Sequence, residues 1–218
     1  MEINMVIDRY KLARYNFFKW RYESSLIYKV TLAFSFACLT GLLAQLRFYL
    51  PGSPVPITGQ TFAVLLAGIL LGKWWGGISQ GVYVGIGAIG VPWFAGFNGG
   101  IGYLFGPTGG YIIGFIFAAF FLGHFMDNYV RSRGFLVMLA LMLFANFVLI
   151  FTPGLLQLYF FSGASLAIWE LLMIGMIPFI AGDLVKVFTA AAITKGIAPK
   201  RAYNGEVDAN ISRSWHLL

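Results

Sequence analysis

Long apolar runs, broken by short polar or glycine-rich connections, dominate this chain, and they do not alternate strictly between apolar and polar residues. Such runs predict helices in an apolar medium, because a barrel strand would alternate over about ten positions. Six membrane helices are expected, over residues 26–47, 60–73, 75–91, 108–126, 134–158 and 177–195. The second and third are short and interrupted by glycines and Lys73. A helix of about 14 residues rises only about 21 Å, so these two tilt, or stop short of a full crossing, beside a cavity. The expected fold class is an all-α integral membrane protein. A basic N-terminal tail (1–25) precedes the six-helix membrane domain (26–195), and a C-terminal tail (196–218) follows it.

Composition supports a membrane setting. Of 218 residues, 59% are hydrophobic and 11% charged, far from the make-up of soluble domains. Aromatics at 18% and 27 glycines suit helices packed closely in lipid. The formal charge of +7 reads as a topology signal and not as a nucleic-acid footprint, because the cations gather in tails and short connections. Arg9, Lys11, Arg14, Lys19, Arg21 and Lys29 precede or open the first span, and Lys73 lies between the second and third. Arg131 and Arg133 separate the fourth and fifth, while Lys195, Lys200, Arg201 and Arg213 close or follow the sixth. The opposite connections hold only Arg47, so both termini are expected in the cytoplasm. The first 25 residues mix charges and rings, without the apolar core of a cleavable signal peptide.

Two outer connections, PGSPVPITG (51–59) and GVPWFAGFNGGIGYLFGPTGG (90–110), carry no charge and are dense in Gly and Pro. Irregular backbone of this kind is tolerated at a membrane boundary where it is buried in protein or lines a cavity. The third, 159–176, is expected to hold a short interfacial helix carrying Glu170 before Pro178 opens the last span.

Asp183 and Lys186 stand inside the apolar run Ile177–Ala192, where an isolated charge costs about 2.5–3.5 kcal/mol on insertion scales. Three residues apart, they share one helix face. Two readings stand: a structural ion pair, or a couple that parts to meet a polar ligand. Asn98, in the glycine-rich loop, could add a carboxamide. Such a set suits a small ligand with amide-like N–H groups at one end and a negative charge at the other.

Other chemistry is thin. No G-x-x-x-x-G-K-[ST] occurs, so an ATP-driven step would belong to a partner. His124 and His216 lack metal-site spacing, and no metal or cofactor is expected. The lone Cys38 cannot form an internal disulfide. The competing class, a membrane-embedded enzyme acting on a lipid or small amphiphile, would need a nucleophile or metal-ligand set that is not evident. Ala33, Ala37 and Gly41 form a stripe of small residues that fits either packing within the protein or contact with another subunit.

PGSPVPITGQTFAVLLAG (51–68), GAIGVPWFAGFNGG (87–100), GPTGGYIIGF (106–115) and PFIAGDLVK (178–186) resemble the BioY family, the biotin-specific S components of energy-coupling factor (ECF) transporters. The resemblance runs from about Ala33 to Ala192. It implies an S-component-like bundle of six helices in a prokaryotic cell membrane that captures biotin from outside, without its own ATPase. A transmembrane coupling subunit and ATP-binding subunits would energise uptake; membrane lipid surrounds the chain, and nucleic acid has no part.

The resemblance also implies site residues. The D-x-x-K element maps onto Asp183 and Lys186, and Asn98 matches a ligand-contacting position. Trp93, Phe94 and Tyr111 are expected to cover the apolar body of biotin. Ala33 and Ala37, extended by Gly41, match the docking stripe for the coupling subunit. The family's basic residue near the start of the fourth helix has no counterpart in Tyr111–Phe115, which leaves the ligand carboxylate to Lys186, aided by Tyr111.

Overall fold

Backbone polar groups in lipid must be satisfied within the chain, and the apolar runs do so as helices. The computed structural model describes residues 2–49 and 52–209; Pro51, Arg213 and His216, which entered the sequence reading, lie outside the described residues. Helix α1 spans Glu2–Glu23 and α2 Leu26–Ala44. A two-residue hairpin pairs Arg47–Phe48 (β1) with Ile57–Thr58 (β2) in antiparallel register. Then come α3 (Gln60–Leu71), α4 (Lys73–Ala88), the single turn α5 (Ile101–Leu104) and α6 (Gly109–Asn128). Next, α7 (Phe135–Phe144) runs through a π-helical segment, Ala145–Ile150, into α8 (Phe151–Phe161). Helix α9 (Ile168–Gly175) and a 3-10 turn, Ile177–Phe179, lead into α10 (Ile180–Ile197).

Among the described residues, four helical stretches are long and apolar enough to cross a membrane: Leu26–Ala44, Gly109–Asn128, Phe135–Phe161 and Ile168–Ile197. Helices α3 and α4, at 12 and 16 residues, are as short as the sequence suggests. Glu170 accepts the Ala167 N–H at 3.1 Å and fastens the start of α9, and Pro178 occupies the first turn before α10, where its missing N–H is harmless. Helix α6 is the axle of the bundle, packing against α3, α4 and α8, with Ala118, Ala119 and Leu122 wholly buried. Leucines and aromatics such as Phe34, Phe117, Leu136 and Leu156 point outward, as lipid-facing side chains do.

The small-residue stripe of α2 is turned inward. Ala33 packs with Ala67 and Leu71 of α3 and with Trp75 of α4, Ala37 is fully buried, and a Cβ on Gly41 would lie 3.1 Å from Trp93 Cβ. Ala33, Ala37 and Gly41 thus pack within the chain. The reason is steric: short α3 and α4 must approach α2 closely to bury their apolar faces.

The described parts of both charged tails, 2–25 and 196–209, fold onto one end of the bundle. Gly72, at φ 81° in the α3–α4 turn, leaves no room for a side chain beside Asp127 and Arg21. Asp127 accepts the Lys73 N–H at 2.8 Å and pairs with Arg21, so a carboxylate meets the start of α4, where the helix leaves N–H groups open. Arg133, fully buried, donates to the carbonyls of Met126 and Arg201 at 3.0–3.1 Å and pairs with Glu206 at 2.5 Å. Asp208 accepts the N–H groups of Val130 and Arg131 at 2.7 and 2.9 Å.

Candidate functional site

A cavity of about 60 Å³ opens at the other end of the bundle, where α3, α6 and α10 begin and α8 starts from the π turn. Its apolar wall comes from Val55, Ile112, Phe115, Ile150, Phe151 and Phe179, and its polar end from Asp183, Lys186, Thr58 and Gln60. The 3-10 turn before α10 brings Asp183 into the first turn of that helix, and the i, i+3 spacing puts Lys186 above the same wall.

The couple is closed. Lys186 pairs with Asp183 Oδ1 and donates to Thr58 O at 2.9 Å, which ties the last helix to the hairpin. Asp183 Oδ2 accepts Asn146 Nδ2 at 2.9 Å. The Asp183 side chain is 4% exposed and that of Lys186 17%, so the ammonium is the member nearer solvent. At this site, among the described residues, two buried polar atoms have no hydrogen-bond partner: Asn146 Oδ1, beside Asp183, and Thr61 Oγ1, in the cavity wall. Leaving such groups unpaired costs about 1–3 kcal/mol each, a penalty that a polar ligand can relieve.

Tyr111 joins Asp183 and Lys186 at the cavity. Its ring lies edge-on to Phe151 at 5.6 Å, while its hydroxyl is held by Gly175 O at 2.8 Å. Asn98, Trp93 and Phe94 do not line the cavity and sit one layer behind it. Asn98 Nδ2 donates to Ala95 O at 2.8 Å, so its amide fixes a residue of the wall. Phe94 stacks on Tyr103, another wall residue, at 5.2 Å. The Trp93 indole donates to Tyr83 O at 3.0 Å.

The loop carrying these residues is pinned at both ends by glutamines that the sequence reading passed over. Gln45, just past α2, donates to Trp93 O and Phe94 O at 3.2 and 3.1 Å and accepts the Phe97 N–H at 3.0 Å. Gln157 of α8 donates to Leu104 O and Gly106 O at 2.5 and 2.6 Å. Between them Phe97 is held at φ 57°, a conformation that persists only where its surroundings enforce it. In Gln45→Leu, amide exchange at Phe97 is expected to rise about ten-fold, the equivalent of one lost hydrogen bond. Hydrogen–deuterium exchange read by mass spectrometry checks this, and unchanged protection of 93–97 would remove Gln45 as the anchor.

Asn146 was also missed. Its signal was a carboxamide in the middle of a strongly apolar 27-residue helical stretch. It lies in the π-helical turn just ahead of Pro153, and such turns often mark functional sites. A cavity this small, against roughly 300–1,000 Å³ for typical ligand pockets, takes a sizeable ligand only if its walls part. One wall is the hairpin segment 52–58, held by its pairing with β1, by Ser53 to Ile174 O at 2.6 Å and by Lys186.

Fold and site together define a helical membrane protein with a small, largely apolar cavity, closed at its polar end by an ion pair and bordered by a pinned loop. The chain belongs to the BioY family, whose model matches residues 16–203. It is 49% identical over 156 residues to the probable biotin transporter BioY of Methanothermobacter thermautotrophicus, covering 70% of this chain and 99% of that protein. The biotin transporter BioY of Thermotoga maritima is 38% identical, covering 66% and 81%. Among solved structures, the S-component for biotin from an ECF-type ABC transporter superposes with a TM-score of 0.70 at 28% identity, covering 78% of this chain and 89% of that one.

Proposed function

We propose that this chain is the biotin-capturing membrane subunit of an ECF-type uptake system. The observation that carries the reading is the Asp183–Lys186 couple, closed over an apolar cavity with Asn146 beneath it, in a member of the BioY family. Biotin offers a ureido ring, an apolar bicycle and a valerate carboxylate. Asn146 orients Asp183; on ligand entry Lys186 leaves Asp183 Oδ1 and Thr58, Asp183 accepts a ureido N–H, and Lys186 turns to the carboxylate. The Tyr111 ring covers the apolar body. Asn98, Trp93 and Phe94 shape the loop from behind Ala95 and Tyr103 and complete the ligand's cover when the hairpin segment moves.

Six crossings follow if α2, α3, α4, α6, the α7–α8 stretch and α10 each pass through lipid, with both termini in the cytoplasm on the distribution of Lys and Arg. The cavity then faces outward. A coupling subunit and ATP-binding subunits supply the energy, and the chain itself catalyses no reaction. Calorimetric titration of the purified chain tests the reading. Biotin is expected to bind saturably, while octanoate, an acid without a ureido ring, gives no saturable heat; absence of biotin binding by folded protein would end the proposal.

A further inference from the structure

At the end of the bundle opposite the cavity, the chain gathers cations without acids to match. Lys11, Arg14, Lys200 and Arg201 line a cleft of about 540 Å³ between α1 and the segment after α10, and Asp8 is the single carboxylate among its described walls. Asp8 meets Lys11 at 3.4 Å with both side chains well exposed, a contact of little strength in water. Arg14 is fixed, because its Nη2 donates to the carbonyls of Lys195 and Ala198, which the end of α10 leaves open. Its Nε remains buried with no hydrogen-bond partner. Arg201 lies over the Tyr15 ring at 5.2 Å. Deeper at this end two arginines have acids: Arg21 pairs with Asp127 and Arg133 with Glu206. In the cleft the surplus is left standing, and like charges brought together repel unless an anion sits among them.

We propose that this cleft binds the phosphate of an anionic phospholipid headgroup. Phosphate oxygens match the donor fork of an arginine, and lysines add point charges around it. The source is lipid and not free phosphate because α1 leaves Val6, Leu12, Phe17 and Trp20 at 45–65% exposure, and Leu12 borders the cleft itself. Apolar and indole side chains beside a basic pocket suit the boundary between headgroups and acyl chains. A lipid bound there would staple α1 to the end of α10. This inference is independent of the ligand assigned to the outer cavity.

The test uses the full chain in neutral detergent and native mass spectrometry with phosphatidylglycerol, phosphatidylcholine or inorganic phosphate at equal phosphorus concentration. Phosphatidylglycerol is expected to remain bound where phosphatidylcholine does not. The double variant Lys200→Ala/Arg201→Ala should hold it about thirty-fold more weakly, the equivalent of ~1 kcal/mol per charge removed. A cooperative thermal melt at the parent's temperature shows that the variant is folded. Equal retention of the two lipids, undiminished binding by the folded variant, or inorganic phosphate displacing phosphatidylglycerol at equal concentration would each overturn the assignment.

Discussion

Lys186→Met is expected to weaken biotin binding by a hundred-fold or more while the protein stays folded. Truncating one partner of a buried, hydrogen-bonded charge pair costs about 2–5 kcal/mol, and a hundred-fold loss is ~2.7 kcal/mol. Methionine keeps most of the apolar stem against the cavity wall, so the change isolates the ammonium. Two contacts vanish in the closed state, to Asp183 and to Thr58 O, which loosens the tie between α10 and the hairpin. Asp183 retains Asn146, so some closed-state order survives. Asp183→Asn is expected to lose binding on the same scale for the complementary reason, since it leaves the Lys186 ammonium without its counter-ion. Calorimetry alongside thermal melting separates lost binding from lost fold.

The second large effect lies at the far end of α6, about 30 Å away by the rise of a 20-residue helix. Arg133→Met is expected to destabilise the protein by about 3–5 kcal/mol, because it strands the Glu206 carboxylate in a buried site. It also frees carbonyls that the guanidinium now satisfies, those of Met126, Pro199 and Arg201. Biotin affinity of the surviving folded fraction should be nearly unchanged. The double variant Arg133→Met/Glu206→Gln is expected to recover part of the loss by removing the stranded charge.

Acid probes the same contact. Burial alone would raise the Glu206 carboxyl, but the Arg133 hydrogen bond and the backbone N–H of Tyr203 hold it below its usual value of 4.5. Stability from this contact is therefore full above about pH 4.5 and is lost as the pH falls through the lower folded value. Melting temperatures of the parent should fall in that acid range more steeply than those of Glu206→Gln; identical acid profiles would remove Glu206 as a source of the dependence.

The membrane helices were legible because lipid permits no long polar interruption, so each crossing is written as a continuous apolar run. Asp183 and Lys186 were legible for the same reason, as charges where charge is expensive. Helix α1 was not. Its residues mix charge and aromatic rings like a tail, and its order comes from partners such as Tyr203 and Asp127, more than a hundred residues away. The α2 stripe was legible only in part: Ala33 and Ala37 announce a close approach without saying whose helix approaches. Asn98 drew attention by its glycine-rich setting, yet its amide holds Ala95, whereas Asn146 and Gln45 hold the charge couple and the loop. Carboxamides report polarity but carry no direction, so only the folded chain reveals what each one grips.

The most direct test of the central claim, that Lys186 leaves Asp183 to take the ligand's carboxylate, is a calorimetric double-mutant cycle with biotin and biotin methyl ester on the parent and on Lys186→Met. The account predicts that the parent binds the ester about a hundred-fold more weakly than biotin, while the variant binds both with nearly equal affinity. If the variant still prefers biotin by the parent's full margin, Lys186 does not meet the carboxylate.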